Sequence, residues 1–469
     1  MRLPFVGGAY KGRSSNASPE EAINLFIEKG AGEQGEGALV NVPGCIEFAQ
    51  LPAGELRGLH SFGSHVYAVC GPNLYKVDVA GNYTDLGSLG SSMGKVSMCD
   101  NGPSTVFGGG QIAIADGGPL KVYSTVTGTI TNTGSANTSS CCFLDGYIVF
   151  VQDGSPFFWW TSTWDATAID PLDFASAEGD GDTIVSCWSH NRQLWFFGER
   201  TTELFYNSGV SAAKPFSNFQ GGFTQMGCGA KHSVSRVGNS ILWLSENEQG
   251  DATVVSSNGS SLIPVTVDHP QVAYQMDQYA SVSDAIAYTY EYEGHDFYVL
   301  TFPSANVTWA FDLHSKSWHK RAHIINSTFP NRERYNCHAY AFEKHLVGDY
   351  KNGKIYELNS SYHTMDGDII PNQRDTAGQM EKEEERIRVR SVQLTGEEGV
   401  GGTVFLSYSK DGGHTFSSEL ETSFGEIGAY SHRAIWRKLG HGREWVFRVI
   451  RKFDGRTIYK GLIAKRHGE

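Results

Sequence analysis

A short alternating strand, a Gly/Asn/Asp turn and a second alternating strand recur along most of this 469-residue chain. His65-Val66-Tyr67-Ala68-Val69-Cys70 turns at Gly71-Pro72-Asn73 into Leu74-Tyr75-Lys76-Val77, and Gln193-Leu194-Trp195-Phe196-Phe197 passes through Glu199 to Thr202 into Glu203-Leu204-Phe205-Tyr206. Equivalent hairpins begin near Ile112, Ile148, Ile241, Phe297 and Leu346; the last turns at Asn352-Gly353, the dipeptide most diagnostic of a tight hairpin. Successive starts lie 36 to 56 residues apart, bracketing the ~40–50 residues of a propeller blade. Residues from about 55 to 365 are therefore expected to form a β-propeller of six or seven blades, each hairpin supplying half of a four-stranded blade. A long array of sandwiches is the competing all-β reading, since it gives similar turn spacing. The 55 glycines and only 19% charged residues fit many short strands and tight turns better than long charged helices.

The flanks read differently. Residues 1–54 form an N-terminal extended segment in which Ser18-Pro19-Glu20-Glu21 has capping-box spacing, while Ile23-Asn24-Leu25-Phe26-Ile27 fits a strand equally well. Residues 366–379 read as a polar linker, and 380–469 as a separate C-terminal β-sandwich with strands at Thr403–Tyr408, Ala434–Trp436 and Trp445–Ile450. The acidic run Glu381, Glu383, Glu384, Glu385 reads as a solvated edge before the strictly alternating Arg386-Ile387-Arg388-Val389-Arg390.

Charge excludes a general nucleic-acid binder, because 38 basic face 51 acidic residues and phosphate neutralisation needs the opposite balance. The −13 is uneven: residues 433–469 carry eleven Lys/Arg against three acids, +8, which leaves −21 for the rest. Met1-Arg2-Leu3-Pro4 leads into glycine and polar residues, so no targeting segment is expected. The most apolar stretch, Cys141 to Val151, is interrupted by Asp145-Gly146 and too short to cross a bilayer, so no membrane insertion is expected. Eight dispersed cysteines without a C-x-x-C pair read as reduced thiols.

The chemical motifs are weak. Gly90-Ser91-Ser92-Met93-Gly94 has the nucleophile-elbow pattern but precedes a strand-like run rather than a helix, and the same residues fall one short of a phosphate-binding loop. His314, His319, His323 and His338 do not match zinc-ligand spacing and sit among Trp309, Phe311 and Trp318, as packing histidines would. Glu178-Gly179-Asp180-Gly181-Asp182 has alternate carboxylates in a glycine loop but lacks the remaining ligands of a calcium loop, so it reads as a solvated turn. Ser409-Lys410-Asp411-Gly412-Gly413-His414-Thr415-Phe416 resembles the Asp-box of sialidases and other propeller proteins, a hairpin corner in which carboxylate and hydroxyls bond turn amides. No catalytic residue, cofactor or metal is assigned.

Ordered segments carry one wider resemblance. Ala22-Ile23-Asn24-Leu25-Phe26-Ile27-Glu28 followed by Leu39-Val40-Asn41-Val42-Pro43-Gly44 resembles the N-terminal pattern of the packaged-DNA-stabilisation, or tail hub (nozzle), proteins of short-tailed bacteriophages. Asn73-Leu74-Tyr75-Lys76, Thr202-Glu203-Leu204-Phe205-Tyr206, Leu406 to Gly412 and Trp436-Arg437-Lys438-Leu439-Gly440 continue it in order over nearly the whole chain. The resemblance implies a non-enzymatic virion tail protein, assembled in the host cytoplasm. It further implies a homohexameric ring below the portal and its adaptor, contacts with a tail needle or plug and with tailspikes or fibres, and double-stranded DNA passing through the lumen. On that reading the basic end, Arg433, Arg437, Lys438, Arg443, Arg448, Arg451, Lys452 and Arg456, is the candidate surface for docking an acidic neighbour. The alternative reading is a propeller-type carbohydrate-active enzyme or glycan-binding module.

Overall fold

All seven hairpins become the second and third strands of four-stranded antiparallel blades in the computed structural model. It describes residues 1–14, 18–30, 37–177, 179–210, 214–246, 251–258, 261–325, 328–380 and 386–466. The second strands are His65–Cys70, Gln111–Ala115, Tyr147–Gln152, Gln193–Gly198, Ser240–Glu246, His295–Phe302 and Lys344–Asp349. Their burial is nearly continuous rather than alternating: Val66 to Cys70 and Phe297 to Phe302 are buried at every position. Both faces of a blade are covered by its neighbours, so the middle strands have no solvent side to reserve for polar residues.

Adjacent blades share one core each. Tyr67, Val69 and Leu74 of blade 1 pack on Ile112, Ile114 and Tyr123 of blade 2; Trp195 and Phe197 of blade 4 meet Ile241 and Trp243 of blade 5. The last interface, Leu56 and Leu59 against Cys337, Ala339 and Leu346, joins blade 7 to blade 1 and completes a seven-bladed propeller. One 16-residue strand, Thr129–Leu144, serves two blades: its first part pairs with Pro119–Ser124 as the outer strand of blade 2, and its end pairs with Tyr147–Gln152 as the inner strand of blade 3.

The ring is closed by a strand from the N-terminal segment. Gly44–Gln50 pairs antiparallel with Lys354–Asn359 as the outermost strand of blade 7. The preceding residues are woven into the C-terminal domain. Arg2–Leu3 and Ala38–Asn41 pair with Ile458–Arg466, and Leu25–Glu28 pairs with Ala38–Asn41. Glu21–Ile23 lies between blade 6's outer strand Ser317–Arg321, which it meets in parallel, and Asn372–Asp375, which in turn pairs with Glu444–Arg451. Blade 6 and one sheet of the sandwich are thus a single ten-stranded sheet. The sandwich core combines Leu3, Phe5, Leu25 and Leu39 with Trp436, Trp445 and Tyr459.

Residues 1–54 and 366–379, expected to lie outside the two domains, therefore carry strands of both. Asn372, Gln373, Arg374 and Asp375 are polar but buried, so hydropathy disguises a strand that cross-strand hydrogen bonds and ion pairs stabilise. Ser18-Pro19-Glu20-Glu21 starts a strand, not a helix. The helix among the described residues is Pro270–Asp277, whose Val272 and Met276 fill the core between blades 5 and 6. The acidic run at 381–385 lies outside the described residues.

Two side chains hold the junction. Asn24 is fully buried with φ +58°. Its amide donates to the carbonyls of Ala322 (2.7 Å) and Pro371 (2.9 Å), and its Oδ1 accepts from the Ala322 amide (2.9 Å). Glu21 accepts from Lys11 (3.0 Å) and Lys320 (2.8 Å). Burial pushes its carboxyl up, but these two cations outweigh it and hold it at about 2.

Two outcomes are expected. Asn24→Ala removes three hydrogen bonds and leaves a non-glycine, non-Asn residue in the left-handed region, a loss of about 3–5 kcal/mol. Asn24→Gly relieves the backbone strain and loses roughly 1 kcal/mol less; equal thermal midpoints for the two variants would contradict this. A carboxyl depressed in the folded state stabilises above its unfolded value and ceases to do so as pH falls toward the folded one, so the thermal midpoint should drop between about pH 4.5 and 2. Glu21→Gln should flatten that limb, as measured by calorimetry across the acid range.

Candidate interaction surfaces

The inner strands of the blades surround an axial channel that is closed within one protomer. Lys95, at the start of blade 2, reaches across the axis and donates to the carbonyls of Ala287 (3.1 Å) and Asn336 (2.6 Å) on blades 6 and 7. Lys231 and His232 lie beside it, and the three separate a cavity of about 420 Å³ from one of about 330 Å³ at the other end. Burial, with Lys95 and Lys231 nearby, pushes His232 down to about 3, so its imidazole is neutral at neutral pH.

The motif residues are committed to structure. Arg57, fully buried, donates through Nε to Gly94 (2.6 Å) and through its terminal nitrogens to the carbonyls of Gly71 (3.0 Å), Ser91 (2.9 Å) and Met93 (3.0 Å). It thereby clamps the Gly90–Gly94 loop as a structural turn, and Ser91 is further bonded to Asp116, which also holds Lys121 at 2.6 Å. His319 is buried against Phe297, its Nε2 accepting from Arg321 (3.3 Å); His314 packs edge-on to His295, and His338 meets His345 at 3.1 Å. Asp182 accepts from the amides of Arg200 (2.7 Å) and Thr201 (3.0 Å), a use as a turn cap; Glu178 lies outside the described residues. All eight cysteines are free, and only Cys99 is not fully buried.

The Asp-box behaves as a corner. Ser409 Oγ accepts from the Gly413 amide (2.8 Å), and Asp411 accepts from the Thr415 amide (3.0 Å) and hydroxyl (2.6 Å). Against the upward push of burial, the hydroxyl of Ser409 (2.5 Å) and the two bonds from Thr415 draw the Asp411 carboxyl down to about 2. Phe416 then lies 3.9 Å from the Arg448 guanidinium, which grips buried Asp375 through two bonds of 2.9 and 2.7 Å.

The eight basic residues of the C-terminal end are accordingly dispersed. Arg448 is spent on Asp375, and Arg451 is buried between Phe424 and Phe453. Lys452 pairs with Glu419 (2.8 Å) and Arg456 lies 3.6 Å from Glu397. Arg433, Arg437, Lys438 and Arg443 are exposed and have no partner among the described residues. Arg388, Arg390 and Lys465, which lie outside the eight expected residues, join Arg437 and Lys438 on the same sheet; the alternation of Arg386 to Arg390 is the sequence signal that places those arginines on one strand face. Ile387–Gly396 lies between Ala434–Gly442 and Ile458–Arg466, with Ser391 opposite both Arg437 and Lys465.

Residues 1–363 match the family described as bacteriophage P22 Gp10, beta-propeller, and residues 374–459 match its beta-sandwich counterpart. No curated relative matches the sequence. Among solved structures, the N-terminal domain of Nup159 aligns at 11% identity over 76% of this chain and 99% of that one, with a TM-score of 0.41. The WD40 domain of Toxoplasma gondii coronin aligns at 9% identity over 75% and 87%, with a TM-score of 0.36. A computationally designed protein, Ika8, aligns at 12% over 67% and 99%, also at 0.36. Likeness at this level carries no functional information. No helix among the described residues is long and apolar enough to cross a membrane.

Replacing Arg57 by Met leaves the carbonyls of Gly71, Ser91, Met93 and Gly94 without the donor that this buried guanidinium supplies. Arg57→Met should cost about 3 kcal/mol and lower the propeller's thermal midpoint by several degrees; an unchanged midpoint would show that the loop is held by other means.

Proposed function

This chain belongs to the bacteriophage P22 Gp10 family and is a structural tail protein of the virion; from that premise we propose that it forms the nozzle ring of a short-tailed phage. The ring continues the DNA channel below the portal and its adaptor, retains the packaged genome, and offers its distal surfaces to a plug or needle and to tailspikes or fibres. The observation that carries this reading is the match of both domains, in order, to the one family.

Physical arguments support it. The propeller's own channel is closed by Lys95, Lys231 and His232, whereas a duplex has a major groove alone about 12 Å wide. A conduit for DNA must therefore lie between copies, which requires an assembly. A conduit should also release what it carries, and a chain with a net charge of −13 repels phosphate more than it binds it. The continuous sheet from blade 6 into the sandwich fixes the two domains in one orientation, as a ring component transmitting load needs. The glycan-directed alternative rests on the Asp-box, and there the carboxylate is consumed by its own turn.

Particles assembled without this protein should package DNA and then lose it, becoming nuclease-sensitive, and addition of the purified chain should restore protection. Stable, nuclease-resistant genomes in its absence would overturn the retention role, and turnover of a surface-glycan panel by the purified chain would favour the alternative.

A further inference from the structure

The two ends of the molecule carry opposite charge on exposed surfaces. Residues 122–191 contain eight acids and no Lys or Arg. They build most of blade 3, and there Asp153, Asp170, Asp173 and Asp180 have no cationic partner among the described residues. Beside them the outer strand Phe174–Ser176, only three residues long, presents an apolar spot: Leu172 is 79% and Phe174 42% exposed, with Phe157 and Trp159 packed against Phe174. An exposed aromatic anchor with a charged rim is the composition of a protein interface, not of a solvated edge.

The complementary surface lies on the sandwich. Arg388 and Arg390 on Ile387–Gly396, Arg437 and Lys438 on Ala434–Gly442, and Lys465 on Ile458–Arg466 are exposed on three adjacent strands and have no partner among the described residues. Neighbouring strands lie about 4.8 Å apart, so five cations share a small patch at a repulsive cost that no acid among the described residues relieves. In the loop that leads into Ala434–Gly442, Ile427 and Tyr430 are 82% and 72% exposed. The sandwich is continuous with blade 6, and blade 3 is three blades away in a ring of seven, on the far side of the propeller.

We propose that the basic sandwich face binds the acidic outer edge of blade 3 on a second copy of this chain, head to tail. Because the two surfaces differ and sit on opposite sides of the molecule, each copy donates one and accepts the other, the heterologous contact from which closed rings are built. The proposal rests on the reading of the protein as a ring component and names the surfaces that make the ring. Duplex DNA is the competing occupant of a basic face, but the match in charge and in exposed apolar residues at blade 3 favours a copy of the chain.

Two charge-reversed forms test it. One carries Arg388→Glu, Arg390→Glu, Arg437→Glu and Lys465→Glu; the other carries Asp153→Lys, Asp170→Lys, Asp173→Lys and Asp180→Lys. Thermal unfolding like that of the wild type establishes that both fold. Each is added to particles assembled without this protein, and the copies incorporated are counted by mass. Wild type should incorporate in several copies, and each reversed form alone should incorporate roughly tenfold less, since like charges then face each other. An equimolar mixture should recover incorporation, because each form's reversed face matches the other's and the ring closes by alternation.

Wild-type behaviour of either form alone, or a mixture that stays deficient, overturns the interface. So does normal incorporation of the basic-reversed form coupled to loss of binding to a short DNA duplex that wild type binds, which would assign the face to DNA. Incorporation of the wild type as a single copy would instead sink the ring reading itself, a result separable from failure of the interface because it is read on the unmodified chain.

Discussion

The hydrogen bonds of Asn24 are the constraint on which the arrangement of this protein depends. At this residue the chain passes between the propeller and the sandwich, and one side chain bonds both the exit from blade 6 at Ala322 and the approach to the C-terminal domain at Pro371. Its backbone continues the clamp, donating to Lys320 and accepting from Val42. A buried residue in the left-handed region is tolerable there because asparagine occupies that conformation more readily than other side-chain-bearing residues, and every polar group it brings inside is satisfied. Glu21, three residues earlier, adds an ion pair to Lys320 on the same outer strand. Without this junction the ten-stranded sheet would divide into a blade and half a sandwich.

A second consequence is that the order of the chain differs from the order of the domains. Arg2–Leu3, Leu25–Glu28 and Ala38–Asn41 complete a sheet of the C-terminal sandwich, and Gly44–Gln50 completes the last blade. A propeller closed by its own N-terminal strand cannot open at the seam between blades 7 and 1 without breaking that pairing, and the strand cannot leave without disturbing the sandwich. Two domains locked in this way suit the proposed place in a tail ring, where pressure from packaged DNA would act on each copy. The distribution of charge follows the same division: the cations that stabilise the junction and sandwich interior, such as Arg448 against Asp375, are distinct from the free cations on the outer sheet.

Much of this was legible in the residues. The hairpin starts coincide with the second strand of every blade, because turn chemistry and short-range pairing are local properties. Asn352-Gly353 marks a true turn in which Gly353 has φ +76° and its carbonyl accepts from Leu51, just past the closing strand. The Asp-box folds as a corner for the reason its residue types require. Arg57 was invisible, since nothing in its neighbours distinguishes a buried loop clamp from a surface arginine. Asn372 to Asp375 look like linker in the sequence because a strand stabilised by ion pairs has the composition of a loop. The charge of the basic tail is plain in the sequence, but Arg448, Lys452 and Arg456 have acids beside them that sequence distance conceals.

Local pattern alone specifies a Gly-rich all-β chain, a blade repeat of six or seven units, the sandwich at its end and the uneven charge, because periodicity, turns and composition act over a few residues. Only the tertiary structure decided which N-terminal strands close the propeller and complete the sandwich, that Asn24 joins them, and which of the basic residues remain unpaired. Those outcomes depend on juxtaposing segments three hundred or more residues apart, as Asn24 and Pro371 are, and no local pattern encodes which distant surface will cover a given strand or neutralise a given charge.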